Sequence, residues 1–144
     1  MANYRIGSDF SNVHILAEHL QQFCEKNKIE DSLSNVLELM LVEAVNNVVE
    51  HAYAGKSGFV IDAQFNVNEE EVTITLIDEG VFFPESVYGA KRNQRISKDS
   101  YEELPEGGWG LGLITTIADD IEKYNVNGTN ILVLTKYLKE VAVV

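Results

Sequence analysis

The chain has 144 residues with 45% hydrophobic content, 23 acidic against 11 basic side chains, and a formal net charge of −12. That length supports one domain, 1–144, with a single core, and the charge argues against nucleic acid or an anionic membrane as a direct partner unless the few bases cluster. No apolar run reaches membrane-spanning length and Met1-Ala2-Asn3-Tyr4-Arg5 lacks the regions of a signal peptide, so a cytoplasmic protein is expected. The sole cysteine, Cys24, excludes an internal disulfide and a cysteine-based zinc cage, and in its helical pattern it reads as a small core residue.

Ser8-Asp9 is placed to cap a helix running to about Lys28, with Val13, Leu16, Ala17, Leu20 and Phe23 at helical spacing. A short strand around Tyr4–Ile6 precedes it. Asp31 or Ser32 starts a second helix that ends near Tyr53, before Gly55 and Gly58. On it Glu43, Asn47 and His51 recur every four residues, so they form one polar column on a nearly all-apolar rod. Leu33, Leu37, Leu41, Ala44 and Val48 make the neighbouring apolar stripe, and the opposite side still carries Leu39, Val42 and Val49, which predicts a buried helix. Carboxylate, amide and imidazole groups there require partners, from an internal network, a wet groove, a ligand or a metal.

Phe59–Val67 alternates, with Phe59, Ile61, Ala63, Phe65 and Val67 on one face, and predicts a half-buried strand. Asn68-Glu69-Glu70 turns the chain into a second strand, Val72–Ile77. Ile121–Val126 and Ile131–Leu138 form another pair joined by Asn127-Gly128-Thr129. With one apolar face on the strands, the helices should all cover one side: an α/β (α+β) two-layer sandwich.

Three segments carry candidate chemistry. Asp78 continues the apolar row Val72, Ile74, Leu76, so its carboxylate faces the core side, where it can accept from an exocyclic amine; Gly80 would let the backbone approach closely, although Asp78-Glu79-Gly80 is also an ordinary turn. Gly107-Gly108-Trp109-Gly110-Leu111-Gly112-Leu113-Ile114 enters a helix reaching about Asp119, an arrangement of free N–H groups and helix dipole that suits phosphate. It is neither the dinucleotide fingerprint nor a P-loop. Between them, the segment of about 84–107 lacks sustained periodicity and gathers Lys91, Arg92, Arg95 and Lys98, which fits a lid over a polyphosphate as well as a solvated loop.

The order Glu-x-x-x-Asn-x-x-x-His-Ala-Tyr, Asp-x-Gly, Gly-Gly-x-Gly-Leu-Gly-Leu resembles the ATP-binding fold of histidine kinases, Hsp90-type chaperones, type II topoisomerases and MutL proteins. Within that superfamily it is most similar to bacterial anti-sigma factors that are serine/threonine-protein kinases, the RsbW and SpoIIAB type. The resemblance implies a mixed sheet covered on one face by helices and binding of ATP with Mg²⁺. It implies that Asn47 coordinates Mg²⁺, that Glu43 is the catalytic base for a serine hydroxyl, and that Asp78 and Gly80 form the adenine pocket. Gly108, Gly110, Leu111 and Gly112 would meet the phosphates, and Thr129 would support Asp78 directly or through water. His51 and Tyr53 match the family's helix end. The implied partners are an anti-anti-sigma antagonist as substrate, an RNA polymerase sigma factor, and a second copy in a homodimer. Two departures stand out: Val81-Phe82-Phe83-Pro84 lacks a second glycine, and Glu106 and Trp109 flank the phosphate loop where some relatives have an arginine. Arg92 or Arg95 is the substitute this chain offers. A nucleotide-sensing binding module without useful transfer is the alternative, and a histidine-kinase-like ATPase fragment acting on a separate phosphoacceptor chain is a third reading.

Overall fold

The computed structural model describes residues 1–81 and 114–138. The lid at about 84–107 with Arg92 and Arg95, and the phosphate-loop residues Gly108, Gly110, Leu111 and Gly112, lie outside the described residues.

Five strands form one sheet in the order β1-β2-β3-β5-β4. They are β1 (Ala2–Gly7), β2 (Val60–Val67), β3 (Glu71–Asp78), β4 (Asp120–Val126) and β5 (Thr129–Tyr137). All four pairings are antiparallel, so the sheet among the described residues is antiparallel rather than mixed. The β2–β3 and β4–β5 hairpins need only short turns, which antiparallel neighbours permit. Asn127 and Gly128, at φ 52 and 87, supply the two left-handed positions of a tight hairpin turn.

Helices α1 (Val13–Lys26) and α2 (Asp31–Asn47) cover one face. Asp9 accepts from Ser11 N at 2.9 Å and caps a short 3-10 turn, Phe10–Asn12, that leads into α1. Leu16, Leu20, Leu37, Met40 and Leu41 from the helices meet Ile61, Phe65, Ile74, Leu76 and Leu134 from the sheet in one core. Cys24 is buried there, as its helical spacing predicts.

Three local expectations change. Phe59 is 47% exposed and outside β2; it stacks on Tyr53 with centroids 4.8 Å apart, because the alternating pattern starts one residue before the pairing does. Leu39 is 42% exposed, so α2 is not buried all round, although Val49 is. Finally, the α-helix ends at Asn47 and the chain continues as a π-helix over Val48–Ala52. Its N–H groups reach five residues back, as Tyr53 N does to Val48 O at 3.1 Å, and this wider turn ends the four-residue recurrence after Asn47. His51 is accordingly exposed and leaves the polar column.

Candidate functional site

Glu43 and Asn47 remain one turn apart on α2. Glu43 is half-buried, while Asn47 is 6% exposed at the helix end. Its Nδ2 is buried without a hydrogen-bond partner. Such a group costs free energy unless an acceptor pairs with it. The amide is therefore left available to a ligand. Mg²⁺ keeps most of its octahedral shell from water and phosphate oxygens and needs few protein ligands; the amide oxygen of Asn47 is the atom that would ligate it, while the unpaired NH₂ suits an acceptor such as a phosphate oxygen.

Asp78 ends β3 at 4% exposure, on the core side that alternation predicts. Its Oδ1 accepts from Gly80 N at 2.9 Å, in the local turn typical of aspartate. It also accepts from Asn130 Nδ2 at 2.8 Å. Asn130 stands directly opposite Asp78 in the β3–β5 register and is 2% exposed. Thr129 comes one residue earlier and so presents its side chain to the other face of the sheet, where it cannot take the supporting place expected of it. The expectation placed the strand start at Ile131 and Thr129 in the connecting turn. The tight Asn127-Gly128 turn puts both Thr129 and Asn130 in β5, and the β3–β5 register gives the supporting place to Asn130.

The end of β3 is fastened to the end of the α2 rod. Val81 N donates to Ala52 O at 2.8 Å. Tyr53 Oη donates to Val60 O at 2.8 Å and accepts from Glu79 N at 2.9 Å. Burial raises the Tyr53 phenol above its ordinary pKa, while the bond from Glu79 N lowers it. A Cβ on Gly80 would lie 2.4 Å from Ala52 O, so glycine here lets two backbones touch rather than only opening space for a ring. These contacts fix the carboxylate of Asp78 relative to the helix that carries Asn47 and Glu43.

Lys123 on β4, which the sequence reading overlooked, is 6% exposed on the core side. Burial pushes its ammonium down to about 8, with the Asp78 charge acting in the opposite direction. Its signal was the row Ile121, Lys123 in an alternating strand, where a lysine among core-facing positions is unusual. At the other end of β5, Lys136 Nζ donates to Ile117 O at 2.9 Å and sits 3.4 Å from Asp119. This ties the helical residues 114–117, which follow the glycine-rich segment, to the sheet.

A serine-protein kinase RsbW of Bacillus mycoides is 35% identical over 103 residues, 72% of this chain and 63% of that protein. A serine-protein kinase RsbW of Staphylococcus aureus is 33% identical over 68% of this chain and 62% of its own length. The aligned part thus spans less than two thirds of these relatives. Among solved structures, a chain from the SiaB–SiaC complex of Pseudomonas aeruginosa has a TM-score of 0.64 at 12% identity, covering 95% of this chain and 89% of that one, a likeness of fold. Residues 6–136 match the model of the histidine kinase-like ATPase domain, and the chain belongs to that family.

Proposed function

We propose that the chain is an ATP-dependent serine/threonine-protein kinase that acts as an anti-sigma factor in partner switching and phosphorylates a serine of an anti-anti-sigma antagonist. The observation that carries this reading is Asn47, whose buried Nδ2 lacks a hydrogen-bond partner, one helical turn from the half-buried carboxylate of Glu43. The relatives named serine-protein kinase support it. Asp78 receives the exocyclic amine of adenine, and Gly80 keeps that carboxylate against the helix. Asn47 would hold Mg²⁺, which when bound neutralises charge on the phosphates. Glu43 accepts the proton of the substrate serine as its oxygen attacks the γ-phosphorus and the bond to the departing ADP breaks. Gly108, Gly110, Leu111 and Gly112 supply backbone groups to the phosphates, with the lid at about 84–107 closing over them through Arg92 or Arg95.

The sigma factor is the second partner and is held when the antagonist is phosphorylated; a homodimer is the expected assembly. No helix among the described residues is long and apolar enough to cross a membrane, and we place the protein in the cytoplasm. The absence of an arginine beside the phosphate-loop glycines favours the second reading, a nucleotide-sensing binding module without useful transfer. Glu43→Gln distinguishes the two. With a purified anti-anti-sigma protein and labelled ATP, it should keep ATP binding and lower transfer by roughly 10²–10⁴-fold. Normal transfer by this variant would remove Glu43 from the base role, and no transfer by the natural chain would favour the binding module. The phosphorylated product should survive acid, as phosphoserine does and phosphohistidine does not.

A further inference from the structure

Three polar side chains form a ladder across neighbouring strands at the edge of the candidate site. Asn125 on β4 faces Asn130 on β5, which faces Asp78 on β3, each pair in direct register. Asn125 Nδ2 donates to Asn130 Oδ1 at 2.8 Å. Asn130 Nδ2 donates to Asp78 Oδ1 at 2.8 Å and to Gly80 O at 2.9 Å. A primary amide has two N–H donors and one oxygen acceptor, and here each is engaged. The chemistry of the neighbours dictates the orientation of the amide: its NH₂ meets a carboxylate and a carbonyl, neither of which donates, so its oxygen must face Asn125. Both N–H donors of Asn130 are therefore committed, and it cannot donate to a ligand itself. What it does is hold Asp78 Oδ1, together with Gly80 N, and so set the plane of the carboxylate.

We propose that Asn130, backed by Asn125, is a positioning residue for nucleobase selection: by occupying Asp78 Oδ1 with donors it turns Oδ2 to the base as a fixed acceptor, favouring a 6-amino over a 6-oxo purine. The proposal rests on the reading of Asp78 as the adenine acceptor. A carboxylate free to rotate could take a water, or a proton, between itself and a 6-oxo group. One pinned through Oδ1 meets that carbonyl oxygen with an acceptor, and the pairing fails.

The test is calorimetric binding of ATP and of inosine triphosphate, with Mg²⁺, to the natural chain, Asn130→Ala, Asn125→Ala and Asp78→Asn. Asn130→Ala should weaken ATP about tenfold or more, the scale of hydrogen bonds to a charged group, and inosine triphosphate by less than about twofold, so the discrimination ratio collapses. A merely structural role would weaken both nucleotides equally, and that result, or an unchanged ratio, would overturn the proposal. Asn125 is exposed, so Asn125→Ala keeps the fold if Asn130→Ala does not. It should lower the same ratio by about threefold, since it removes only one neutral hydrogen bond behind Asn130, and an unchanged ratio there would equally overturn the proposal. ATP binding lost in Asp78→Asn with the ratio intact in both asparagine variants would refute the role of Asn130 alone. No ATP binding by the natural chain would refute the nucleotide reading and this proposal with it.

Discussion

Gly80→Ala tests the contact that joins the end of β3 to the π-helix. Gly80 is outside the left-handed region, so the substitution meets contact strain rather than torsional strain. The new Cβ would lie 2.4 Å from Ala52 O, 2.7 Å from its carbonyl carbon and 2.8 Å from its Cβ. Two of these are backbone atoms that no rotamer change can move aside. Ordinary contact begins near 3.4 Å, so the end of β3 and the π-helix must separate by about 1 Å. That movement also stretches the 2.8 Å bond from Val81 N to Ala52 O. Overpacking of this kind costs about 1–3 kcal/mol, and the lost hydrogen bond about 1 kcal/mol more. The sum, about 2–4 kcal/mol, corresponds to a fall in Tm of roughly 6–15 °C for a domain of this size. Urea titration should show a lower midpoint with an unchanged slope, and ATP affinity should fall because Asp78 moves with the strand. A variant within about 0.5 kcal/mol of the natural chain, the range of neutral surface changes, would show that the two segments are not held together in this way.

Asn47→Leu replaces a buried amide whose NH₂ lacks a partner, so it should leave stability within about 1 kcal/mol or raise it, while Mg²⁺-dependent nucleotide binding is lost. A loss above about 2 kcal/mol would make Asn47 a structural residue instead. Lys123 gives a prediction with pH. Its folded pKa, about 8, lies below its ordinary value of 10.5, so between these values the unfolded chain binds more protons and stability rises with pH. Cys24 and Tyr53, both pushed up by burial, work in the opposite sense at alkaline pH, so the comparison must be with Lys123→Met. The difference in stability between natural chain and variant should shift in favour of the natural chain from about pH 8 to 10; a difference independent of pH would contradict the burial of a charged ammonium.

Periodicity carried much of the fold. Alternation places Ile61, Phe65, Ile74 and Leu76 in the core row, and the same count carries Asp78 to the buried side. The spacing of Glu43 and Asn47 survives because α2 is a regular α-helix up to Asn47. His51 does not follow, because a change from four-residue to five-residue hydrogen bonding leaves no mark in apolar spacing. Asn130 was missed for a different reason. Its meaning depends on standing opposite Asp78, 52 residues away in sequence, in a β3–β5 register between strands that no local turn joins. Gly80 was noticed as permissive, yet its neighbour, the backbone of Ala52, is a tertiary contact that no local pattern records. The parallel component expected of the sheet is likewise a matter of strand order, and the described strands pair only antiparallel.

The most direct test of the nucleotide site is Mg²⁺-dependent ATP binding by calorimetry, comparing the natural chain with Asp78→Asn. The asparagine keeps an oxygen for Gly80 N and Asn130 Nδ2, so the fold is preserved, but it turns an N–H donor toward the amine of the base. Binding by the natural chain and its loss in the variant is the predicted result. Equal binding by both proteins, or none by the natural chain, would contradict the assignment of Asp78 and the kinase reading built on it.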